Sequence, residues 1–170
     1  YMAPCDMLYL VRKLSAIVVL PRSIVERAKS LGVDLETIVL EAIAEKLGMD
    51  PVLLQLPIGL EGDFQGIIDL VKMKALYFEG PHGESIREEE IPDQMLEEAS
   101  SYREQLLDAA TMYSDDLAEA VLDGHETEEM IHLALRKATL AKTLTPVLVG
   151  SAYKNIGVQP VLDAVNMYLP

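Results

Sequence analysis

The clearest hydrophobic pattern in the chain follows Pro92. Apolar residues recur there at spacings of three and four, which predicts a long helix with one continuous apolar stripe. The stripe comprises Met95, Ala99, Tyr102, Leu106, Ala109 and Tyr113. Charged residues take the remaining surface: Glu97, Glu98, Arg103, Glu104 and Asp108. Two shorter helices are predicted next, capped by Ser114 and Thr127, each with acids in its first turn, and Gly124 ends the first of them.

Short apolar segments before Pro92 predict strands. Residues 52–56 form a buried strand that Pro57 closes, and residues 67–71 and 75–78 are rich in aliphatic and aromatic side chains. After a turn of glycine and proline, residues 85–91 return as the second strand of a hairpin. Their charges suit an exposed edge.

The last quarter of the chain predicts a strand, a loop and a helix. Residues 146–149 are an apolar run, residues 150–152 are small, and a helical pattern follows. One face of that helix carries Val158, Val161, Leu162, Val165 and Leu169. In open α/β sheets ligands bind beyond the carboxyl ends of the strands, so Ser151 and Ala152 are candidate contacts. Their small side chains would let a flat ligand reach the backbone N–H groups.

The first 44 residues follow the order strand, helix, helix. Residues 15–20 are short and apolar, Pro21 can open a helix to residue 30, and Asp34 can cap a second helix. This order is similar to the ribbon-helix-helix module of small repressors and antitoxins. The positions that read DNA in such a module would be Ser15, Ile17 and Val19. None is basic, so DNA binding is not expected, although a regulator with an acidic tail stays open as the alternative function.

Charge is distributed unevenly along the 170 residues. The net charge is −14, yet the segment before Glu45 balances five bases against five acids, so the whole deficit falls in residues 45–170. Such a surface repels nucleic acid and favours a basic protein partner. A single cysteine excludes an internal disulfide, and the apolar runs near the N-terminus are too short to span a bilayer. We therefore expect no membrane association and reducing, cytoplasmic surroundings.

From Glu45 onward the chain resembles elongation factor G, a ribosomal translocation GTPase. One string, EKLGMDPVLLQLPIGLEGDFQGIIDLVKMKALYFEG, follows that family almost continuously. A second, GSAYKNIGVQPVLDAV, resembles its last guanine-recognition motif, whose Ser-Ala loop presents a backbone amide to the guanine oxygen. Ser151 and Ala152 match that loop, and Lys154 matches a lysine that usually follows. The resemblance implies nucleotide contacts at these three residues, with GTP or GDP and Mg²⁺ as the parent family's ligands.

The resemblance also implies the architecture. We expect an α/β fold with a partial P-loop-GTPase-type sheet, interrupted by an inserted β-hairpin and helical subdomain at about residues 60–144. Residues 1–44 match the family poorly and form a separate segment from residues 45–170. In the family the insertion contacts the C-terminal domain of the ribosomal stalk protein, mainly through its first long helix. Residues 92–113 match that helix, so its acids Glu97, Glu98 and Glu104 are the candidate partner contacts.

Most of the chemistry of a GTPase is missing from the sequence. There is no phosphate loop of the form G-x-x-x-x-G-K-[ST] and no Asp-x-x-Gly switch motif. Where the family has Asn-Lys-x-Asp, the chain reads ERAK at residues 26–29. The isolated chain is therefore predicted to lack catalytic residues, to hydrolyse no GTP and to need no cofactor. The Glu129-x-x-His132 pair has a metal-ligand spacing, but a single copy predicts surface charge rather than a metal site.

Overall fold

The structure is a computed structural model that describes residues 8–11, 16–19, 35–48, 50–59, 63–80, 83–151 and 154–169. One sheet contains β1 (Leu8–Val11), β2 (Ala16–Val19), β3 (Pro51–Leu53) and β8 (Thr145–Gly150). The other contains β4 (Gln55–Ile58), β5 (Gly66–Asp69), β6 (Lys74–Glu79) and β7 (Ser85–Glu89). The helices are α1 (Leu35–Leu47), α2 (Asp93–Thr111), α3 (Asp115–Asp123), α4 (Glu128–Leu140) and α5 (Val158–Tyr168).

The first sheet has the order β2-β1-β8-β3 and mixes strand directions. β3 is parallel to β8, while β1 is antiparallel to both β8 and β2. Every residue of β8 is buried, as expected for an apolar strand covered on both faces. The predicted α/β fold class, with a parallel strand pair and an inserted hairpin sheet, is confirmed. The sequence pattern did not predict β1.

The predicted single strand over residues 52–56 is wrong. The chain forms two strands there, β3 in the first sheet and β4 in the second, with Leu54 at the junction. The Leu54 N–H donates to the Val147 carbonyl at 2.9 Å, and its own carbonyl accepts from the Leu70 N–H at 3.0 Å. Leu54 thus bonds to β8 of the first sheet and to the residue that follows β5 of the second. Pro57 does not close the strand but lies inside β4, which a proline tolerates because β4 is an edge strand.

The second sheet, which we call the inserted sheet, is an antiparallel meander in which β4 and β5 are buried on both faces. Ile67 and Ile68 of β5 and Ala75 of β6 lie in the core, whereas all five residues of β7 are exposed. The prediction of a charged, exposed edge strand is confirmed. Arg87 of β7 pairs with Glu79 on β6 and with Glu89 on its own strand, and such charges protect an open edge from pairing with another chain.

The helical prediction is confirmed in most respects. Ala99 and Leu106 of the stripe are buried, Ser114 accepts from the Leu117 N–H at 3.3 Å, and Thr127 accepts from the Met130 N–H at 3.3 Å. Gly124 ends α3 with φ of 69°. These contacts are local, so the residues that make them lie close together in the sequence.

Arg103 was predicted on the exposed surface of α2, and that prediction is wrong. Its side chain is only 19% exposed. One guanidinium nitrogen donates to the carbonyls of Leu70 and Val71, each at 2.7 Å, and another lies 3.5 Å from the carboxylate of Glu126. Arg103 therefore joins α2 to the turn between β5 and β6 and to the segment before α4.

The strands near the N-terminus pair differently from the strand of a ribbon-helix-helix module. That module requires its strand to pair with a second chain, but β2 pairs with β1 of the same chain. The predicted helix over residues 21–30 lies outside the described residues. The second predicted helix is present as α1, with Val39 and Ile43 buried, and it runs to Leu47, past the predicted boundary at residue 44.

Helix α5 exposes most of its apolar face. Val158, Leu162 and Val165 are 40%, 57% and 36% exposed, and Tyr168 is the residue that α5 buries. None of the described helices is long and apolar enough to cross a membrane.

Candidate functional site

A closed loop follows β8 at its carboxyl end, where the sequence predicted Ser151. The Ser151 N–H donates to the Ile156 carbonyl at 2.8 Å, and the Ile156 N–H donates to the Ser151 carbonyl at 3.0 Å. The Ser151 hydroxyl accepts from the Lys154 N–H at 3.3 Å. Ser151 is consequently only 8% exposed. Both of its backbone groups bond to Ile156. We call residues 151–157 the base loop, of which residues 152 and 153 lie outside the described residues.

Two glycines allow the base loop to lie against β8. A Cβ atom on Gly157 would come within 2.7 Å of the Val149 carbonyl, and Gly157 has φ of +81°. A Cβ atom on Gly150 would come within 2.9 Å of the Ile156 carbonyl. Side chains at these positions would force the loop away from the strand. Space therefore requires glycine at both positions, and backbone conformation requires it at Gly157 as well.

The structure describes two of the three predicted nucleotide residues, Ser151 and Lys154. The Ser151 N–H donates to the Ile156 carbonyl, and a nucleotide contact of Ser151 stays a prediction. Ala152 lies outside the described residues, so its assignment stays a prediction. The Lys154 ammonium donates to the Phe64 carbonyl at 3.1 Å, which ties the base loop to the connection between β4 and β5.

Further contacts join α5 and β8, which flank the base loop, to the inserted sheet, and the sequence did not predict them. The Gln159 side-chain amide donates to the Gly83 carbonyl at 2.6 Å. Gly83 is buried in the connection between β6 and β7, where the pattern indicated only a turn. Gln55 of β4 accepts from the Val149 N–H at 3.2 Å. The glycines of this turn, Gly80 and Gly83, were a sequence signal that could have indicated a close approach.

The candidate partner residues on α2 are exposed, as predicted for a contact surface. Glu97 and Glu104 are seven residues apart, so they lie on the same helical face, and Asp108 extends it by one turn. Glu98 is adjacent. We call these residues the acidic face: Glu97, Glu98, Glu104 and Asp108. Their role in binding a partner stays a prediction.

A cleft of about 670 Å³ separates the inserted sheet from α5. Its titratable lining residues are Asp69, Lys72, Glu88, His132, Asp163 and Tyr168. His132 Nδ1 and the Tyr168 hydroxyl oxygen lie 2.7 Å apart, and Lys72 is 3.0 Å from Glu88. Among the described residues, no group of three His, Cys, Asp or Glu side chains is placed to hold a metal ion.

Burial dominates the protonation behaviour of this cleft. It raises the pKa of the Asp69 carboxyl above its ordinary value, although the N–H groups of Lys72 and Val71 oppose the shift. It also lowers the pKa of the His132 imidazole and raises the pKa of the Tyr168 phenol. At neutral pH His132 is therefore uncharged and Tyr168 is protonated, so their hydrogen bond joins two neutral groups.

Comparison with known proteins identifies relatives of most of the chain. No protein family model matches. Elongation factor G 1 of Syntrophus aciditrophicus (strain SB) is 54% identical over 133 residues, 78% of this chain and 19% of the relative. Elongation factor G 2 of Anaeromyxobacter dehalogenans (strain 2CP-C) is 57% identical over 130 residues, which are 76% of this chain and 19% of that relative. Elongation factor G 1 of Treponema pallidum (strain Nichols) is 52% identical over 128 residues, which are 75% of this chain and 18% of that relative.

A solved structure shares the fold. The crystal structure of the protein ttk003000868 from Thermus thermophilus has a TM-score of 0.65 and 30% identity, and the match covers 81% of this chain and 20% of that one. The fold and the relatives define the matched part of the chain as part of a translation elongation factor. More narrowly, these three relatives are all elongation factor G proteins, and the matched part of the chain is homologous to a segment of them. The resemblance seen in the sequence is thereby confirmed, and the chain spans about a fifth of the length of these relatives.

Proposed function

We propose that the matched part of the chain serves as a segment of a ribosomal translocation GTPase in the cytoplasm. In this role it supplies a guanine contact through the base loop and a contact with the ribosomal stalk through the acidic face. The observation that carries the proposal is the unit of β8, base loop and α5, closed by the paired Ser151–Ile156 hydrogen bonds, in a chain at least half identical to elongation factor G over its matched part.

The guanine contact is assigned to the Ala152 N–H. The motif requires a backbone donor in the Ser-Ala pair, and the Ser151 N–H already donates to Ile156 at 2.8 Å. Ser151 instead holds the turn through its hydroxyl, which accepts from Lys154. This chain lacks the loop that would hold the phosphates. We therefore assign GTP or GDP with Mg²⁺ as a ligand to the whole parent protein and not to this chain alone.

Nucleotide titration of the 170-residue chain by calorimetry, with Mg²⁺ present, tests this division of roles. We expect no GTP hydrolysis and no GTP or GDP binding tighter than about 100 µM, since phosphate contacts supply most nucleotide affinity. By NMR, guanosine should shift the amides of the base loop more than adenosine does. Sub-micromolar, guanine-selective binding would contradict the proposal, because it would require a phosphate site elsewhere in the chain.

The acidic face supports the stalk contact by exposure and charge. All four of its residues are exposed, and the charge deficit of the chain falls in the part that contains them. Complementary charge speeds encounter with a basic surface and sets its orientation. The C-terminal domain of the stalk protein is the partner that we assign to it.

A charge-reversal triple variant tests this surface. Glu97→Lys, Glu98→Lys and Glu104→Lys together should weaken binding of the stalk domain by about tenfold or more at low salt. The matched control, Glu41→Lys, Glu45→Lys and Glu119→Lys, makes the same net charge change on exposed residues of α1 and α3. It should alter affinity by less than about threefold. Equal losses in both variants would assign the effect to net charge and exclude a specific acidic face.

A further inference from the structure

Two turns of the inserted sheet reach the base loop and the start of α5. The connection between β4 and β5 offers the Phe64 carbonyl to Lys154 at 3.1 Å, and the connection between β6 and β7 offers the Gly83 carbonyl to Gln159 at 2.6 Å. In an antiparallel meander these two connections lie at the same end of the sheet. This end of the inserted sheet therefore contacts the base loop at Lys154 and the start of α5 at Gln159.

We propose that these contacts form a latch that holds the base loop in the shape that guanine recognition requires. The latch consists of Phe64 and Gly83 on the inserted sheet and of Lys154, Asn155 and Gln159 on or beside the base loop. Gly83, Lys154 and Gln159 are then positioning residues for the nucleotide site. This inference rests on the function proposed above for the base loop.

Gly83 provides the closest approach. It is buried with φ of +63°, and a Cβ atom there would collide with the Asn155 carbonyl. Asn155 itself has φ of 54°. Two residues in left-handed conformations are packed against each other, and no side chain larger than a hydrogen atom fits at position 83. A substitution that adds a Cβ atom must push the base loop away from the inserted sheet.

Gln159 is oriented for the inserted sheet rather than for its own helix. Its Nε2 donates to Gly83, while its Oε1 is buried and has no hydrogen-bond partner among the described residues. Rotating the amide would place Oε1 against the Gly83 carbonyl, so the observed orientation keeps the one available bond. An unpartnered buried acceptor is unfavourable, so the hydrogen bond from Nε2 to Gly83 offsets part of that free-energy cost.

The latch couples two parts of the chain by ordering the loop. Within the loop, order depends on the paired Ser151–Ile156 bonds and on the Lys154 N–H. The contacts to Phe64 and Gly83 reduce the number of conformations that a base must select, which raises its affinity. Because such coupling is reciprocal, guanosine bound to the loop should also slow hydrogen exchange of the Gly83 N–H, which donates to the Gly80 carbonyl at 3.3 Å.

Hydrogen exchange by NMR on the 170-residue chain tests the latch without any ligand. Gln159→Glu keeps the shape of the side chain but removes the donor, and it should speed exchange of the Ser151 and Ile156 amides by about tenfold. Asn166→Asp is the matched control, since it makes the same change at an exposed position of α5. It should alter those rates by less than about twofold.

A glycine pair provides a second, independent test. Gly83→Ala and Gly124→Ala impose the same strain, because both glycines have positive φ, but a Cβ atom on Gly124 meets no atom within 4 Å. Only Gly83→Ala should speed exchange at Ser151 and Ile156. Urea unfolding of each variant shows whether the effect is local. Unchanged exchange at both amides in Gln159→Glu and Gly83→Ala overturns the latch.

Nucleoside titration separates the latch from the proposed function. Guanosine affinity should fall by about threefold or more in Gln159→Glu and stay unchanged in Asn166→Asp. Faster exchange with unchanged guanosine affinity overturns the positioning role. If guanosine shifts the base-loop amides of the unmodified chain no more than adenosine does, the function proposed for the loop is overturned, whatever the exchange rates show about the contact itself.

Discussion

His132 on α4 and Tyr168 at the end of α5 are joined by a hydrogen bond of 2.7 Å between Nδ1 and the phenol oxygen. One helical turn further along α4, Arg136 donates to the carbonyls of Met167 and Leu169. Tyr168 is 3% exposed, whereas the apolar face of its helix is largely open to solvent. α4 thus anchors the C-terminal end of α5, and that anchor stabilises the helix that follows the base loop.

Removing the Tyr168 hydroxyl should weaken this anchor. Tyr168→Phe keeps the buried ring but leaves His132 Nδ1 without its partner, so we expect a loss of about 1 kcal/mol in the free energy of unfolding. Urea denaturation at neutral pH measures it. Tyr113→Phe, at a partly buried tyrosine of the core, is the control. Equal effects in both variants would show that the His132 contact adds nothing to stability.

The same histidine predicts a pH dependence. Burial lowers the pKa of His132 below 6.5, so between that lowered value and 6.5 the unfolded chain binds more protons than the folded chain. The stability that neutral His132 contributes is therefore present above pH 6.5 and is lost as pH falls towards the folded pKa. The stability advantage of the unmodified chain over His132→Gln should shrink between about pH 7.5 and pH 5.5. A pH-independent difference in denaturation experiments would contradict the assignment.

The contribution of Asp69 to stability should depend on pH in the opposite direction to that of His132. Its Oδ1 accepts from the N–H groups of Val71 at 2.9 Å and Lys72 at 3.1 Å, and asparagine would keep that oxygen. Because burial raises the pKa of Asp69 above 3.8, its contribution to stability falls as pH rises through the window between 3.8 and the raised value.

We therefore expect Asp69→Asn to stabilise the chain at neutral pH and to lose that gain below pH 3.8. Asp163→Asn, at an exposed carboxylate that lines the same cleft, should change the free energy of unfolding by less than about 0.5 kcal/mol. Thermal or urea unfolding across this pH range checks both variants. A destabilised Asp69→Asn variant at neutral pH would show that the charge itself, rather than the acceptor atom, is needed.

The sequence predicted those parts of the fold that depend on near neighbours. The caps at Ser114 and Thr127 and the stop at Gly124 follow from contacts within a few residues, and all three are present. The break at Leu54 was missed because it depends on which sheet each backbone group meets. Arg103 was misplaced because its partners, the Leu70 and Val71 carbonyls, are 33 and 32 residues away.

In the candidate site, too, only the features that depend on near neighbours could be predicted from the sequence. The position of Ser151 at the end of β8 followed from an apolar run and a small-residue loop. The contacts with the inserted sheet could not be predicted from the sequence pattern, since Phe64 is 90 residues from Lys154 and Gly83 is 76 residues from Gln159. The family motif led to a nucleotide contact for Lys154, but a motif does not show that the ammonium bonds to a backbone carbonyl.

Arg103 and Arg87 allow a matched test of burial. Arg103→Met removes the donors to two backbone carbonyls in a side chain that is 19% exposed, so we expect a loss of about 2–4 kcal/mol in the free energy of unfolding. Arg87 pairs with Glu79 and Glu89, but it is 47% exposed. Arg87→Met should therefore cost less than about 1 kcal/mol. Similar losses for both variants in urea denaturation would show that the Arg103 contacts are no stronger than a surface ion pair.

The exposed apolar face of α5 predicts which leucines the chain needs for stability. Leu162 is 57% exposed, so Leu162→Gln removes little buried area and should change the free energy of unfolding by less than about 0.5 kcal/mol. Leu135 on α4 is fully buried, and Leu135→Ala should cost about 2–5 kcal/mol because it leaves a cavity. Urea denaturation compares the two. A large loss for Leu162→Gln would show that another part of the chain covers this face of α5 in solution, and the exposure of Val158 and Val165 would then need the same correction.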